Sequence, residues 1–234
     1  MGIIAPGRPG GSGAVGSPAG VTPYTYTWVP PGVVVGGLSP ACDAGGAPGI
    51  PYGLVVRDLG GAVVSTETRC VALNPDGSTA ALPALPPIPS TGDIWRAALR
   101  QIDPPGVGVN PEPTGLTGLE TWFWYDGPTE LQVATGIGPW TVTGTARVNE
   151  VTFDLGDGET VMAPGGGSEA EPAARHVYET KGTYTVTVTA RWVADLVLSG
   201  PGLPSRPTPI GTAVLRSTAE YPVQEVRALL VPDR

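Results

Sequence analysis

Between positions 182 and 189 the chain reads GTYTVTVT, so that apolar residues and threonines alternate without a break. Period two is the side-chain period of a β-strand, and it puts Tyr184, Val186 and Val188 on one face and Thr183, Thr185, Thr187 and Thr189 on the other. A strand of this kind belongs to an antiparallel sheet that buries one face and wets the other. Similar runs recur at 120–125, 130–135, 140–148, 150–155, 182–198, 210–219 and 223–231. Glycine (35) and proline (28) are abundant enough to suggest disorder in an unpatterned chain. Here they fall between the alternating runs, where they serve as turn punctuation. The fold class expected is all-β, an antiparallel sandwich over 118–234.

Upstream the pattern predicts a second, smaller β domain over 21–80. Its strands come from Val21 to Trp28, from the Gly32-Val-Val-Val run and from two longer runs joined through Leu59-Gly60-Gly61 as a hairpin turn. Cys42 and Cys70 are the two cysteines of the chain. They flank a loop-rich segment without a CxxC or zinc-type spacing, which reads as one disulfide formed in an oxidising compartment. Residues 1–20 are almost entirely Gly, Pro, Ser and Ala, with too little to bury to offset their ordering entropy, and are expected to form a flexible arm. Residues 1–5 run directly into Pro-Gly-Arg-Pro-Gly-Gly with no apolar stretch, so the numbered chain reads as a trimmed or wrongly started mature form.

The segment 81–117 is expected to be a proline-rich linker holding one short bridging helix over 91–102. Ser90 and Asp93 have the spacing of a capping box, and Pro104-Pro105 stops the helix. Ile94, Trp95, Ala98, Leu99 and Ile102 share a face, while Arg96 and Arg100 point away. Three turns of helix are too short to persist alone in water, so the Trp95 face must dock on a β domain.

The formal net charge is −8, and twelve arginines accompany one lysine, Lys181. An acidic chain without a basic stripe argues against nucleic acid and anionic membranes as partners. No apolar run has the length of a membrane-spanning helix. No Gly-x-x-x-x-Gly-Lys-Ser/Thr motif is present, and a single histidine gives little basis for a serine-histidine-aspartate centre. No cofactor or metal is expected.

Two aromatic stripes are candidate contact surfaces for a protein or a glycan. Tyr24, Tyr26 and Trp28 share one strand face beside the arm, and three rings with so little sequence around them are expected to remain partly unburied. Trp122-Phe123-Trp124-Tyr125 places rings on both faces of a strand and is expected to be mainly core.

Val151-Thr-Phe-Asp-Leu-Gly-Asp-Gly158, then His176-x-Tyr178, Gly182-x-Tyr184 and Val186, form the most specific pattern in the chain. They resemble the PKD domain family over about 150–192, with Leu155 and Val151 standing where that family more often has aromatics. The resemblance implies an immunoglobulin-like β-sandwich. It assigns Phe153, Asp154, Gly156, Asp157, Gly158, His176, Tyr178, Gly182 and Tyr184 structural roles. Read physically, Gly156 and Gly158 permit a tight turn and Asp157 accepts backbone N–H groups across it. Asp154, Asp157 and Glu159 also echo a calcium loop, without its twelve-residue spacing. Beyond the motif, the 90–234 part resembles secreted PKD-containing proteins of high-GC actinobacteria. These readings converge on a secreted, non-catalytic structural or adhesion protein, self-assembling through the N-terminal arm or binding a cell-surface glycan. The alternatives are a carbohydrate-binding module through Tyr24, Tyr26 and Trp28, or a hydrolase with a carboxylate pair.

Overall fold

The computed structural model describes residues 21–31, 42–208 and 211–226. The arm at 1–20, the Gly32-Val-Val-Val run and most of the segment beyond Val223 lie outside these residues. The strands are β1 (Tyr24–Val29), β2 (Cys42–Asp43), β3 (Pro48–Asp58), β4 (Val63–Ala72), β5 (Gly106–Asn110), β6 (Gly115–Leu116) and β7 (Glu120–Asp126). They continue as β8 (Glu130–Ile137), β9 (Trp140–Asp154), β10 (Thr160–Ala163), β11 (Ala174–Val177), β12 (Gly182–Gly200), β13 (Leu203–Thr208) and β14 (Thr212–Gln224). One helix, α1 (Thr91–Leu99), precedes β5.

The alternating runs form two facing sheets. β10, β9, β12, β14 and β6 lie side by side, with β8 added to β9 and β13 to β12; the second sheet runs β11-β7-β5. Phe123 and Tyr125 from β7 meet Val151, Phe153, Val186, Val188 and Tyr221 in one continuous core. The threonines of β12 face out, as their alternation requires. Burying an aromatic or large aliphatic side chain contributes about 1.5–3 kcal/mol, so this face drives the packing.

β9 and β12 are longer than the sandwich they serve. Their antiparallel ladder runs from Thr187↔Asp154 to Ser199↔Thr141, with an irregularity between Arg191 and Trp192 where Asn149 is skipped. That irregularity separates the two runs expected at 140–148 and 150–155, which are one strand. Beyond it Val142, Ala146, Leu196 and Leu198 are again buried, beneath a second layer.

That second layer comes from the N-terminal half. β3 pairs with β1 on one side and with β4 on the other, and β2 pairs with the start of β3. Leu59-Gly60 forms the turn between β3 and β4, and the Gly61 N–H donates to the Asp58 carbonyl. Helix α1 carries both halves of the capping box between Ser90 and Asp93, and Ile94, Trp95 and Ala98 are fully buried on its inner face. Gln101, just past the helix, donates to the Ala134 carbonyl and accepts from its N–H, so it covers the outer edge of β8. The segment 81–117 is therefore more than a linker: it supplies β5 to the second sheet, and its Pro87 carbonyl accepts from Trp140 Nε1. The helix ends three residues before the expected 102, and Ile102 is buried in the turn after it.

Cys42 and Cys70 form a disulfide across β3, their Cα atoms 5.8 Å apart. The bond passes over Gly49, where an added Cβ would lie 2.5 Å from Cys70 Sγ. A closed loop of this length removes unfolded-chain entropy worth roughly 3–4 kcal/mol. Urea unfolding with and without a thiol reductant should show a loss of that order. An unchanged midpoint after complete reduction would mean that the β1–β4 sheet holds its shape without the bond.

Candidate functional site

The sequence offers three clusters, and the structure uses them differently. In the motif cluster, β9 ends at Asp154 and the chain turns back into β10 through Gly156 and Gly158, at φ +84° and +102°. At Gly156 an added Cβ would also sit 2.8 Å from the Thr185 carbonyl oxygen, so only glycine brings the turn this close to β12. Asp154 Oδ1 accepts the Gly156 N–H, and Asp157 Oδ1 accepts that of Glu159.

Asp157 also reaches across to β11, where its Oδ2 lies 2.7 Å from His176 Nε2. On the other side of the ring, Glu159 Oε2 lies 2.9 Å from Nδ1. The imidazole is buried, edge-on to the Tyr178 ring at 4.5 Å. Tyr178, fully buried, donates to the Leu155 carbonyl and packs against Phe123, Tyr184 and Tyr221. Burial works against the Asp157 carboxylate, but the Glu159 N–H and the His176 ring outweigh it and hold its pKa below the ordinary value. Burial, with the nearby Asp157 charge, pushes the Tyr178 phenol upward. Both ring nitrogens of His176 are thus taken by carboxylates, leaving neither to activate a serine. The three carboxylates of the echoed calcium loop point at N–H groups and at this ring. The cluster clamps the β9–β10 turn to the edge of the second sheet.

The tyrosines of the second cluster pack against the interior of the molecule. Tyr24 is 6% exposed and donates to the Pro207 carbonyl; Tyr26 donates to Pro201 and stacks on Trp140 at 6.3 Å. Burial raises both phenols, that of Tyr26 to about 12. The expectation of rings left partly unburied is corrected for Tyr24; Tyr26, packed against the core, is half-buried. Their cover is the β12–β13 hairpin, some 180 residues downstream, and local sequence carried no sign of it. Trp28 is half-buried.

The third cluster is divided: the expectation that the 122–125 run is mainly core is met at Phe123 and Tyr125 and not at Trp122 and Trp124. Phe123 and Tyr125 point into the sandwich, whereas Trp122 and Trp124 lie half-buried on the solvent side of β7. Trp124 lies across β5 at Gly108, where an added Cβ would be 2.1 Å from the indole. Trp122 carries the Arg175 guanidinium over its ring at 5.1 Å and donates from Nε1 to Glu120, which also approaches Arg175 at 3.6 Å. Val177, on β11 beside them, is 38% exposed. Two indoles, one aliphatic side chain and an ion pair therefore share the outer face of the β11-β7-β5 sheet. The signal for this was available: strict alternation with Phe123 and Tyr125 inward puts Trp122 and Trp124 outward.

Residues 130–192 match the family model for the PKD domain. The matched stretch begins at the first residue of β8, upstream of the motif, and ends at Trp192 within β12. No curated protein and no solved structure matches the chain. Over these residues the chain is similar to PKD domains, which are immunoglobulin-like β-sandwiches, are typically non-catalytic and occur in extracellular proteins.

Because the Asp157 pKa is lowered in the folded state, its contribution is fully present above the unfolded carboxylate value of about 4 and is lost as pH falls through the folded value. Asp157→Ala should cost roughly 1–3 kcal/mol at neutral pH, since it leaves the His176 ring and the Glu159 N–H short of an acceptor. The gap between the melting curves of wild type and variant should be constant near neutral pH and narrow as pH falls below about 4. A gap that persists at pH 2 would place the cost in packing instead.

Proposed function

We propose that this protein is a secreted, non-catalytic structural or adhesion protein that makes its contacts through the outer face of the β11-β7-β5 sheet. Trp122 and Trp124 carry the reading: two large aromatic side chains lie on a face that the sandwich core does not use. PKD domains are extracellular interaction modules for proteins or carbohydrates, which agrees with this role. The disulfide suits an oxidising compartment, and no helix among the described residues is long and apolar enough to cross a membrane. Assembly into a filament through the N-terminal arm remains part of this proposal. Its connector is residues 1–20, because the Tyr24 and Tyr26 hydroxyls are both engaged by the β12–β13 hairpin.

A second reading, a carbohydrate-binding module, is favoured by the chemistry of the same face. Indole rings stack on the C–H faces of pyranoses, while Glu120 and Arg175 beside them can accept from and donate to hydroxyl groups. This moves the glycan contact from Tyr24 and Tyr26 to Trp122 and Trp124.

Sedimentation with insoluble cellulose, chitin and peptidoglycan, together with a glycan array, separates the readings. If the face binds sugar, Trp124→Ala should weaken retention by about tenfold, the loss of one stacking contact of roughly 1.4 kcal/mol. If no glycan is retained, light scattering of the full chain and of one lacking residues 1–20 tests the protein contact. A truncated chain that assembles as the full one does removes the arm from the proposal, and one that is monomeric supports it.

A further inference from the structure

A second surface, on the opposite sheet's edge and independent of the tryptophan face, has a different chemistry. Between the end of α1, the two prolines that follow it and the start of β14 lies a groove of about 250 Å³. Its floor is aliphatic, made by Leu99, Ile102, Pro105 and Leu215. Its rim is cationic, made by Arg96, Arg100 and Arg216, all exposed.

The rim stands out against the charge pattern of the chain. The net charge is −8, and half of the described cations are paired with a carboxylate away from this groove: Arg69 with Glu67, Arg147 with Asp195, Arg175 with Glu120, Lys181 with Glu225 and Arg191 with Glu150. Arg57 and Arg206 donate to backbone carbonyls. Arg96 pairs with Asp93. Among the described residues no carboxylate forms an ion pair with Arg100 or Arg216, and Arg216 has only a 3.4 Å hydrogen bond from Nε to Thr189 Oγ1. Two guanidiniums without a carboxylate, from a helix end and from a strand, therefore border one apolar groove in an acidic protein. Arginine at a helix C-terminus complements the helix dipole, which accounts for Arg100 alone. It does not account for Arg216, which comes from β14.

We propose that this groove binds a peptide segment of a protein partner in which a carboxylate stands next to an aliphatic side chain. Charge complementarity selects the carboxylate, since a guanidinium fork holds it with two parallel hydrogen bonds. The floor selects the aliphatic neighbour. It offers neither an aromatic ring for a sugar to stack on nor the carboxylates and amides that read hydroxyl groups, which favours a peptide over an acidic glycan.

The test uses the full chain, labelled with ¹⁵N, and the probe peptide acetyl-Glu-Leu-Glu-Ile-amide. Saturable amide shifts confined to residues near 96–105 and 215–216 are expected. They should weaken at least about tenfold in the Arg100→Ala/Arg216→Ala double variant and in 0.5 M salt, where the Debye length falls to about 4 Å. The peptides acetyl-Gln-Leu-Gln-Ile-amide and acetyl-Glu-Ser-Glu-Ser-amide should each lose most of the effect, because each lacks one half of the recognised chemistry. Both arginines are exposed, so the double variant should melt as wild type does. Should it not, Arg100→Lys/Arg216→Lys, which keeps charge but not the fork, takes its place and should bind more weakly than wild type. The proposal is overturned if the probe gives no saturable shift, if the variants bind it unchanged, or if the glutamine peptide binds equally well. It is overturned as well if sodium acetate reproduces the shifts, or if polygalacturonate competes at lower concentration than the probe.

Discussion

The ladder between β9 and β12 is the interaction on which everything else in this molecule depends. From Thr187↔Asp154 to Ser199↔Thr141 it is continuous apart from one irregularity, and each half of it is the floor of a different layer. The half bearing Phe153 and Val188 closes the sandwich against β7. The half bearing Val142 and Leu198 lies under helix α1 and the disulfide-bonded sheet. A strand on its own is marginal, and neither layer could keep its apolar face dry without the shared floor. This makes the irregularity at Asn149 more than a defect. It is the place where one sheet changes the layer that it serves.

Local features were the readable ones. The Ser90–Asp93 capping box, the Leu59-Gly60-Gly61 turn, the cysteine pair and the Thr/Val alternation each depend on residues close in sequence or on a period, and each stands in the structure. The Gly156-Asp157-Gly158 turn was readable for the same reason, although the double engagement of His176 was not. Glu159 reads in the sequence only as a carboxylate near two others, and its partner His176 lies on a separate strand. The fate of Tyr24 and Tyr26 could not be read at all. It is decided by Pro201 and Pro207, and nothing in the 21–28 stretch points to them. The strands at 106–110 and 203–208 are hidden in the sequence because glycine and proline, which read as punctuation, occupy them; their pairing comes from neighbours rather than from propensity.

The outward tryptophans and the arginine groove show two ways in which a β-sandwich can present chemistry without a cleft. Trp122 and Trp124 are held flat, one by the Arg175 guanidinium and the other by the absence of a side chain at Gly108, so little conformational freedom remains to be lost on contact. The arginines at the groove are long and exposed and would lose more. The first surface is built for area and the second for charge.

The same long-range closure dictates an order of events during synthesis. Tyr24 is joined to the Pro207 carbonyl across a separation of 183 residues, so the face formed by Tyr24, Leu54 and Val56 is made long before its cover exists. Domains that fold as they emerge do so from the N-terminus, and transiently open apolar sheet faces are sites of mispairing. The N-terminal sheet must therefore wait, with its apolar side open, until the β12–β13 hairpin has been made. A chain cut short before residue 196 would retain every strand of that sheet and still lack the surface that keeps it dry.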